Sequence, residues 1–293
     1  MTLTIIGFGE AGQAIAQGLR TEPNGPEINC FDIKTLDPNQ AQSIAQAASQ
    51  HGVAVHGSLI EALQGSSYVI STVTAGSAPE VAQAVAEISP SLIAYFDMNS
   101  VAPATKRHEA EMLESAGISY VDTAVMAPIH PRLHRTPVLL AGPTAADIEP
   151  VLAAWGMDTR VVGAEIGRAS SIKMLRSVMI KGLEALTAEM GLAAERAGVT
   201  DEVIDSLNAS FPGVDWGAWT SYNLERMTTH GVRRAEEMEE VVKTLHDLGI
   251  EPELTAGTVR RQRRFGESNV ALDGGSKGLK QRSQKIFEIL KTI

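Results

Sequence analysis

The sequence predicts an α/β chain, a doubly wound and mostly parallel sheet followed by an all-α C-terminal domain. Three observations carry this. In the first half, short β-rich runs alternate with Ala-rich segments of helical spacing. A glycine-rich turn stands between the first run and the first helix. After Gly163 no strand pattern appears and only helical patterns follow. Strands alternating with helices make βαβ units, and right-handed crossovers then place helices on both faces of a parallel sheet.

The strands are expected at residues 3–6, 28–31, 53–55, 68–73, 92–96 and 119–121, with later ones at 137–142 and 159–162. Helices fall between them at 11–20, 39–50, 79–88, 104–116 and 144–155. Ser58 is placed to cap a short helix holding Leu59, Glu61 and Leu63. Pro79 and Pro103 stand where a first helical turn tolerates proline. From residue 166 to 196 there is no proline and mostly good helix formers. At about 1.5 Å per residue this helix spans some 45 Å. Further helices are expected at 200–210, 216–229, 232–248, 251–265 and 279–290. Two domains are therefore expected, residues 1–165 and residues 166–293, the long helix bridging them.

Length and composition bound the function. A chain of 293 residues with 44% hydrophobic and 20% charged residues is an ordinary folded protein with room for two cores. The net charge of −10 gives no general attraction to nucleic acid or to an anionic membrane, and neither is expected as a partner. Arg260, Arg261, Arg263 and Arg264 form the one basic cluster, read as a helix face at a contact. Cys30 is the single cysteine, so no internal disulfide forms; a reducing, cytoplasmic location is expected. The first residues enter a strand without a basic leader, and no run of about 18 apolar residues exists, so neither a secretion signal nor a membrane span is expected. The histidines His56, His130 and His134 show no metal-ligand spacing, and no metal is predicted.

The chemistry begins at Gly7-Phe8-Gly9-Glu10-Ala11-Gly12. This G-x-G-x-x-G directly follows an apolar strand and opens a helix, the context in which such a turn binds a dinucleotide. Gly7 serves the tight turn, Gly9 the approach of a pyrophosphate, and Gly12 the packing of helix on strand. The helix N-terminus offers N–H groups and a positive dipole end to phosphate. Asp32 follows Gly12 by 20 residues, at the end of the second strand. A carboxylate there accepts from ribose hydroxyls and repels a 2′-phosphate, which favours NAD over NADP. Lys34, close behind it, offsets that repulsion. A Rossmann-type domain with NAD (favoured) or NADP as cofactor is the expectation.

Beyond this turn the sequence resembles the β-hydroxyacid dehydrogenase superfamily, which includes 6-phosphogluconate dehydrogenase and 3-hydroxyisobutyrate dehydrogenase. The resemblance runs through most of residues 1–190. It is carried by GFGEAG, by TVTAG at 72–76, by DMNSVAPAT at 97–105, by VDTAVMAPIHPRLHRTPVLLAG at 121–142, and by GRASSIKMLRS at 167–177. It implies hydride transfer between a nicotinamide and a small hydroxy acid or a related alcohol/carbonyl pair. Lys173 takes the place of the family's catalytic lysine, which relays the proton of the substrate hydroxyl; read alone it is as well a surface lysine of a helix. Asn99 and Ser100 match the segment that positions substrate beside the nicotinamide, although Asn and Ser there also suit a turn into the following helix. Val73 and Thr74 are placed near the nicotinamide ribose. A homodimer is implied.

The chain departs from the family where substrate is handled. The Ser-Gly-Gly loop reads Met126-Ala127-Pro128, and the asparagine usual four residues after the lysine is Ser177. Met126 and Ser177 are therefore candidates for contacts to a different substrate, and the chain is similar to a phosphogluconate-dehydrogenase-like branch with a distinct C-terminal domain. In that domain His230, Arg233, Arg234 and Glu237 can share a helix face. The Arg234 fork suits a carboxylate or phosphate, and an intrahelical ion-pair surface is the plainer reading. Trp216, Trp219, Phe211 and Tyr222 cluster nearby and read as core or as a ligand wall. Two alternatives stay open: an imine (C=N) reductase, which Lys173 opposes, and a non-catalytic NAD(P)-binding regulatory protein.

Overall fold

The structure is a computed structural model that describes residues 1–268, 270–272 and 278–289. The chain divides into two compact units, Met1–Lys173 and Met174–Ile293. The division falls eight residues later than residue 165, because the first turn of the long helix is held by the sheet of the N-terminal unit, as shown below.

The N-terminal unit is built on β1 (Thr2–Ile6), β2 (Glu27–Phe31), β3 (Ala54–Val55), β4 (Tyr68–Ser71), β5 (Ala94–Asp97), β6 (Ser119–Val125), β7 (Val138–Ala141) and β8 (Thr159–Gly163). They form one sheet in the order β3-β2-β1-β4-β5-β6-β7-β8. All neighbours are parallel except β6 and β7. The helices are α1 (Glu10–Leu19), α2 (Pro38–Gln50), α3 (Leu59–Leu63), α4 (Ala78–Ile88), α5 (Pro103–Ser115) and α6 (Ala145–Ala154). Strand order reverses between β1 and β4, the crevice at which doubly wound sheets bind ligands. Ser58 caps α3 through the Glu61 N–H, and Pro79 and Pro103 occupy first turns as the sequence predicts.

The sheet is buried on both faces, and alternation sorts its side chains between two cores. Leu3, Ile5, Ile28, Cys30, Tyr68, Ile70, Ala94 and Phe96 enter one cluster with Ile15, Leu19, Leu152 and Trp155. Ile6, Val69, Tyr95 and Tyr120 enter the other, with Val85, Ala110 and Leu113. Cys30 is thus a core residue, its thiol pushed up to about 12 by burial and by the charge of Asp32.

The second unit continues α7 (Arg168–Ala197) and adds α8 (Thr200–Ser210), α9 (Trp216–Asp247), α10 (Glu253–Glu267) and α11 (Leu279–Ile289). Leu290, expected in the last helix, lies outside the described residues. The two helices expected at 216–229 and 232–248 are one helix of 32 residues. Gly231, between the two expected ranges, sits where α9 crosses α10: a Cβ there would meet the Gly266 backbone at 2.6 and 2.8 Å. A helix glycine costs about 1 kcal/mol in propensity; here it permits main chain to lie against main chain. Leu224, Met227, Phe265 and Ile286 form the core around this crossing.

Candidate active site

The glycine turn has the tight geometry and close helix packing that its spacing suggests. Gly7 has φ +86°, and a Cβ would lie 2.7 Å from the Thr72 carbonyl oxygen. A Cβ on Gly12 would overlap the Gly7 carbonyl and press on Ile5, so this glycine brings α1 onto β1. Nothing lies within 4 Å of a Cβ built on Gly9, which leaves open space over the helix N-terminus. Glu10 and Ala11 open the first turn, whose N–H groups no preceding turn satisfies. Phe8 is placed differently from expectation. Its ring is fully buried in the main core, so only its main chain faces the turn.

Asp32 braces this turn. Its Oδ2 accepts from the Phe8 N–H at 2.7 Å and its Oδ1 from the Lys34 N–H at 2.9 Å. Each oxygen retains a second lone pair, which suits a ribose hydroxyl. Open space at Gly9, a helix N-terminus and an acceptor at the end of β2 together fit an adenine dinucleotide. Gln13, which the motif did not single out, donates to the Phe8 carbonyl at 2.8 Å.

The loops after β4 and β5 meet at Asn99. Its Oδ1 accepts from the Val73 N–H at 2.7 Å, and its Nδ2 donates to Ser71 Oγ at 3.0 Å. Asn99 is buried and ties the two loops together; the turn into α5 is made by Asp97, whose Oδ1 accepts the Asn99 N–H at 2.9 Å. Thr74 is exposed and its hydroxyl lies 2.9 Å from that of Ser77.

Lys173 stands in the second turn of α7 and donates from Nζ to Ser100 Oγ at 2.6 Å. Met126, at the end of β6, packs half-buried in an apolar cluster with Ala124, Leu139, Ala169 and Ile172. The start of α7 is fixed from the sheet. Asp122 Oδ2 accepts from the N–H groups of Gly167 and Ser170, both at 3.0 Å, with Ser170 Oγ at 3.2 Å.

Asp122 belongs to a buried charged group that the sequence reading missed. Lys106, 1% exposed, places Nζ 2.8 Å from Asp97 Oδ2, 2.7 Å from the Asp97 carbonyl and 3.9 Å from Asp122 Oδ1. Tyr120 Oη lies 2.6 Å from Asp97 Oδ2 and 3.0 Å from Glu109 Oε2. A hydroxyl has one proton, so Tyr120 donates to Asp97 and the protonated Glu109 closes the second contact. Burial, then the charge of Asp97, pushes Glu109 up to about 9. Burial works against ionised Asp97 too, but the Lys106 charge and the hydrogen bonds around it hold it below the usual carboxylate range. Burial raises Asp122 in spite of Lys106 and the amide donors. The available signal was a carboxylate closing an apolar strand run, in YFD at 95–97 and YVD at 120–122.

The remaining candidates lie in the C-terminal unit. Ser177 is buried on α7, one turn after Lys173. Arg234 departs from the expectation of a substrate fork. It is 5% exposed and its guanidinium closes on Glu184 through both oxygens, with Gln262 donating to Glu184 Oε2 at 3.0 Å. A buried guanidinium already matched by a carboxylate is not offered to a ligand. Arg233 pairs with Glu237 at 2.7 Å, the ion-pair surface weighed above. Trp216 packs between Phe211 and Trp219, with centroids 5.8 and 5.3 Å away. Of the basic cluster, Arg261 pairs with Glu189 and Arg263 with Glu239. His134 is buried against Gly18 with Nε2 2.9 Å from Glu22. Among the described residues, no group of three His, Cys, Asp or Glu side chains is arranged to hold a metal, and no helix is long and apolar enough to cross a membrane.

A mostly parallel sheet with its glycine turn at the switch point defines a dehydrogenase-like dinucleotide-binding fold. The chain belongs to the family that carries the NAD-binding domain of 6-phosphogluconate dehydrogenase, whose model matches residues 2–163. A domain of unknown function, DUF1932, matches residues 194–265. A conserved hypothetical protein from Sinorhizobium meliloti 1021 is 33% identical, with 99% of this chain and 97% of that one covered and a TM-score of 0.75. The Mycobacterium tuberculosis 3-hydroxyisobutyrate dehydrogenase solved with L-serine shares the fold at 18% identity, with 98% of each chain covered and a TM-score of 0.73. A Streptomyces aurantiacus imine reductase shares it at 18% identity, with 98% and 99% covered and a TM-score of 0.58.

Proposed function

We propose that the protein is an NAD(P)-dependent dehydrogenase of a small hydroxy acid, or of a related alcohol/carbonyl pair, with Lys173 as the proton relay. The observation that carries this reading is the Lys173 Nζ to Ser100 Oγ hydrogen bond of 2.6 Å, between the α7 start and the β5–α5 loop. When bound, the nicotinamide supplies or accepts the hydride. Lys173 takes the proton released by the substrate hydroxyl on oxidation and returns it on reduction. Oxidation requires a lysine able to accept that proton. General acid–base catalysis of this kind contributes about 10²–10⁴-fold. Ser100 orients Lys173 and the substrate oxygen, and Asn99 holds the Val73 loop in place for the nicotinamide ribose. Asp32 favours NAD. Met126, in an apolar cluster beside Ile172, favours a substrate with an apolar portion, and Ser177 is kept as a further substrate contact by its place one turn past Lys173. A proton donor of this kind favours C–O over C=N chemistry.

We also propose a cytoplasmic homodimer. Leu175, Met179 and Leu186 are 44%, 62% and 66% exposed along one stripe of α7, an apolar stripe that a second copy would cover. Sedimentation of the wild type and of Leu186→Glu tests it, with a monomeric wild type as the contrary result.

The reading is tested by titrating the protein with NADH and NADPH, then screening oxidation of 3-hydroxyisobutyrate, L-serine and other short 3-hydroxy acids. Lys173→Ala is expected to bind NADH within about twofold of wild type and to lose at least about 10²-fold in kcat. Turnover equal to wild type in that variant removes Lys173 as the relay.

A further inference from the structure

We propose that Lys106 and Asp122 are positioning residues: a buried bridge that sets the spacing between the loop bearing Ser100 and the helix turn bearing Lys173. The inference rests on the reading of Lys173 as the proton relay.

The contacts form a closed ring. Lys106 holds Asp97 at 2.8 Å through the carboxylate and at 2.7 Å through the main-chain carbonyl. Asp97 accepts the Asn99 N–H at 2.9 Å and so shapes the turn that presents Asn99 and Ser100. On its other side Lys106 faces Asp122 at 3.9 Å. Asp122 holds the N–H groups of Gly167 and Ser170 at 3.0 Å, which fixes the first turn of α7 three residues before Lys173. Lys173 closes the ring on Ser100 at 2.6 Å. The two arms leave one lysine and arrive at two partners of one hydrogen bond.

Packing alone does not call for Lys106. Its side chain is 1% exposed, and both carboxylates it faces are fully buried. Apolar residues of similar volume often fill such a site with equal or greater stability, because desolvating ions offsets their attraction. What an apolar residue does not do is fix the direction of two carboxylates at once. Each carboxylate here accepts main-chain N–H groups of a segment that bears a candidate catalytic side chain. Charge-assisted bonds to main chain set position more narrowly than apolar contact does. A shift of about 1 Å in a reacting group is enough to lower a rate by about 10²-fold.

The test uses Asp122→Asn and Lys106→Met in the full chain, with two readouts. The first is kcat for the hydroxy acid that the wild type oxidises, expected to fall about 10–100-fold with NADH affinity within about twofold. The second needs no substrate: the rate at which trinitrobenzenesulfonate labels Lys173, followed by peptide mass spectrometry. Release of α7 is expected to speed labelling at least about threefold. Wild-type kcat and wild-type labelling in both variants overturn the proposal. Should Lys106→Met fail to fold, Asp122→Asn, which keeps side-chain volume, decides alone. Lys173→Ala keeps the two readings apart. If that variant turns over normally, the relay reading falls, while labelling of Lys173 in Asp122→Asn still reports whether the bridge positions it.

Discussion

Each unit buries a set of charges, and the two sets are wired differently. In the N-terminal unit, Asp97 and Asp122 accept main-chain N–H groups of Asn99, Gly167 and Ser170, segments that carry candidate site residues. In the C-terminal unit, Glu184 is matched by side chains, Arg234 from α9 and Gln262 from α10, while Lys181 pairs with Glu237 at 2.6 Å. Burial lowers the Lys181 ammonium, and Glu237 opposes the shift. Side-chain pairing between helices fixes which turn faces which. Pairing to main chain fixes where a loop or helix end lies. The first arrangement is expected to govern stability and the second the chemistry.

The largest effect should come from breaking the helical set. Arg234→Ala leaves Glu184 buried without its main partner, which typically costs about 3–5 kcal/mol. Urea unfolding should register this with NADH affinity little changed; a comparable loss of NADH affinity would erase the contrast between the units. Gly12→Val should come next. Its side chain overlaps the Gly7 carbonyl, and overpacking of this kind costs about 1–3 kcal/mol. NADH binding, read by calorimetry, should be lost with the geometry of the turn; retained affinity would refute the assigned role of Gly12.

A subtler effect should appear with pH. Glu109 is protonated in the folded state up to about 9, against an ordinary carboxylate value when unfolded. Between these the folded state binds the extra proton, so stability is full at acid pH and declines as pH rises toward 9. Glu109→Gln should flatten that decline in Tm measured from pH 5 to 9; an unchanged slope would mean that Glu109 is ionised in the fold. The smallest effect is expected at Arg233, more than half exposed in its pair with Glu237. Arg233→Ala should cost about 0.5 kcal/mol or less in the same urea measurement.

The legible parts of the site were local. GFGEAG could be read because the tight turn, the approach over Gly9 and the packing of Gly12 are all decided within one strand–turn–helix unit. Asp32 was found by spacing for the same reason. Asn99 was legible as a candidate but not as the clasp between two loops, since its partners Ser71 and Val73 are 28 and 26 residues away. Phe8 belonged to the motif, yet its ring is core, because the direction of a side chain at a strand end depends on which face the sheet buries. The helical patterns at 216–229 and 232–248 left Gly231 between them, although α9 runs through it unbroken. Its role as a crossing point required α10 to be in place.

The sequence by itself determined the strand–helix alternation, the cofactor turn, the change to all-helical chain after Gly163 and the rank of Lys173 as a candidate. The first three follow from periodicity, steric freedom or residue spacing along the chain, and Lys173 ranks through the resemblance to the dehydrogenase superfamily. Only the tertiary structure decided that Arg234 is matched internally, that Lys106 lies between Asp97 and Asp122, and that α7 begins on a carboxylate of β6. A buried charge is stabilised by whatever opposite charge or donor the fold brings to it, and that partner can lie anywhere in the chain.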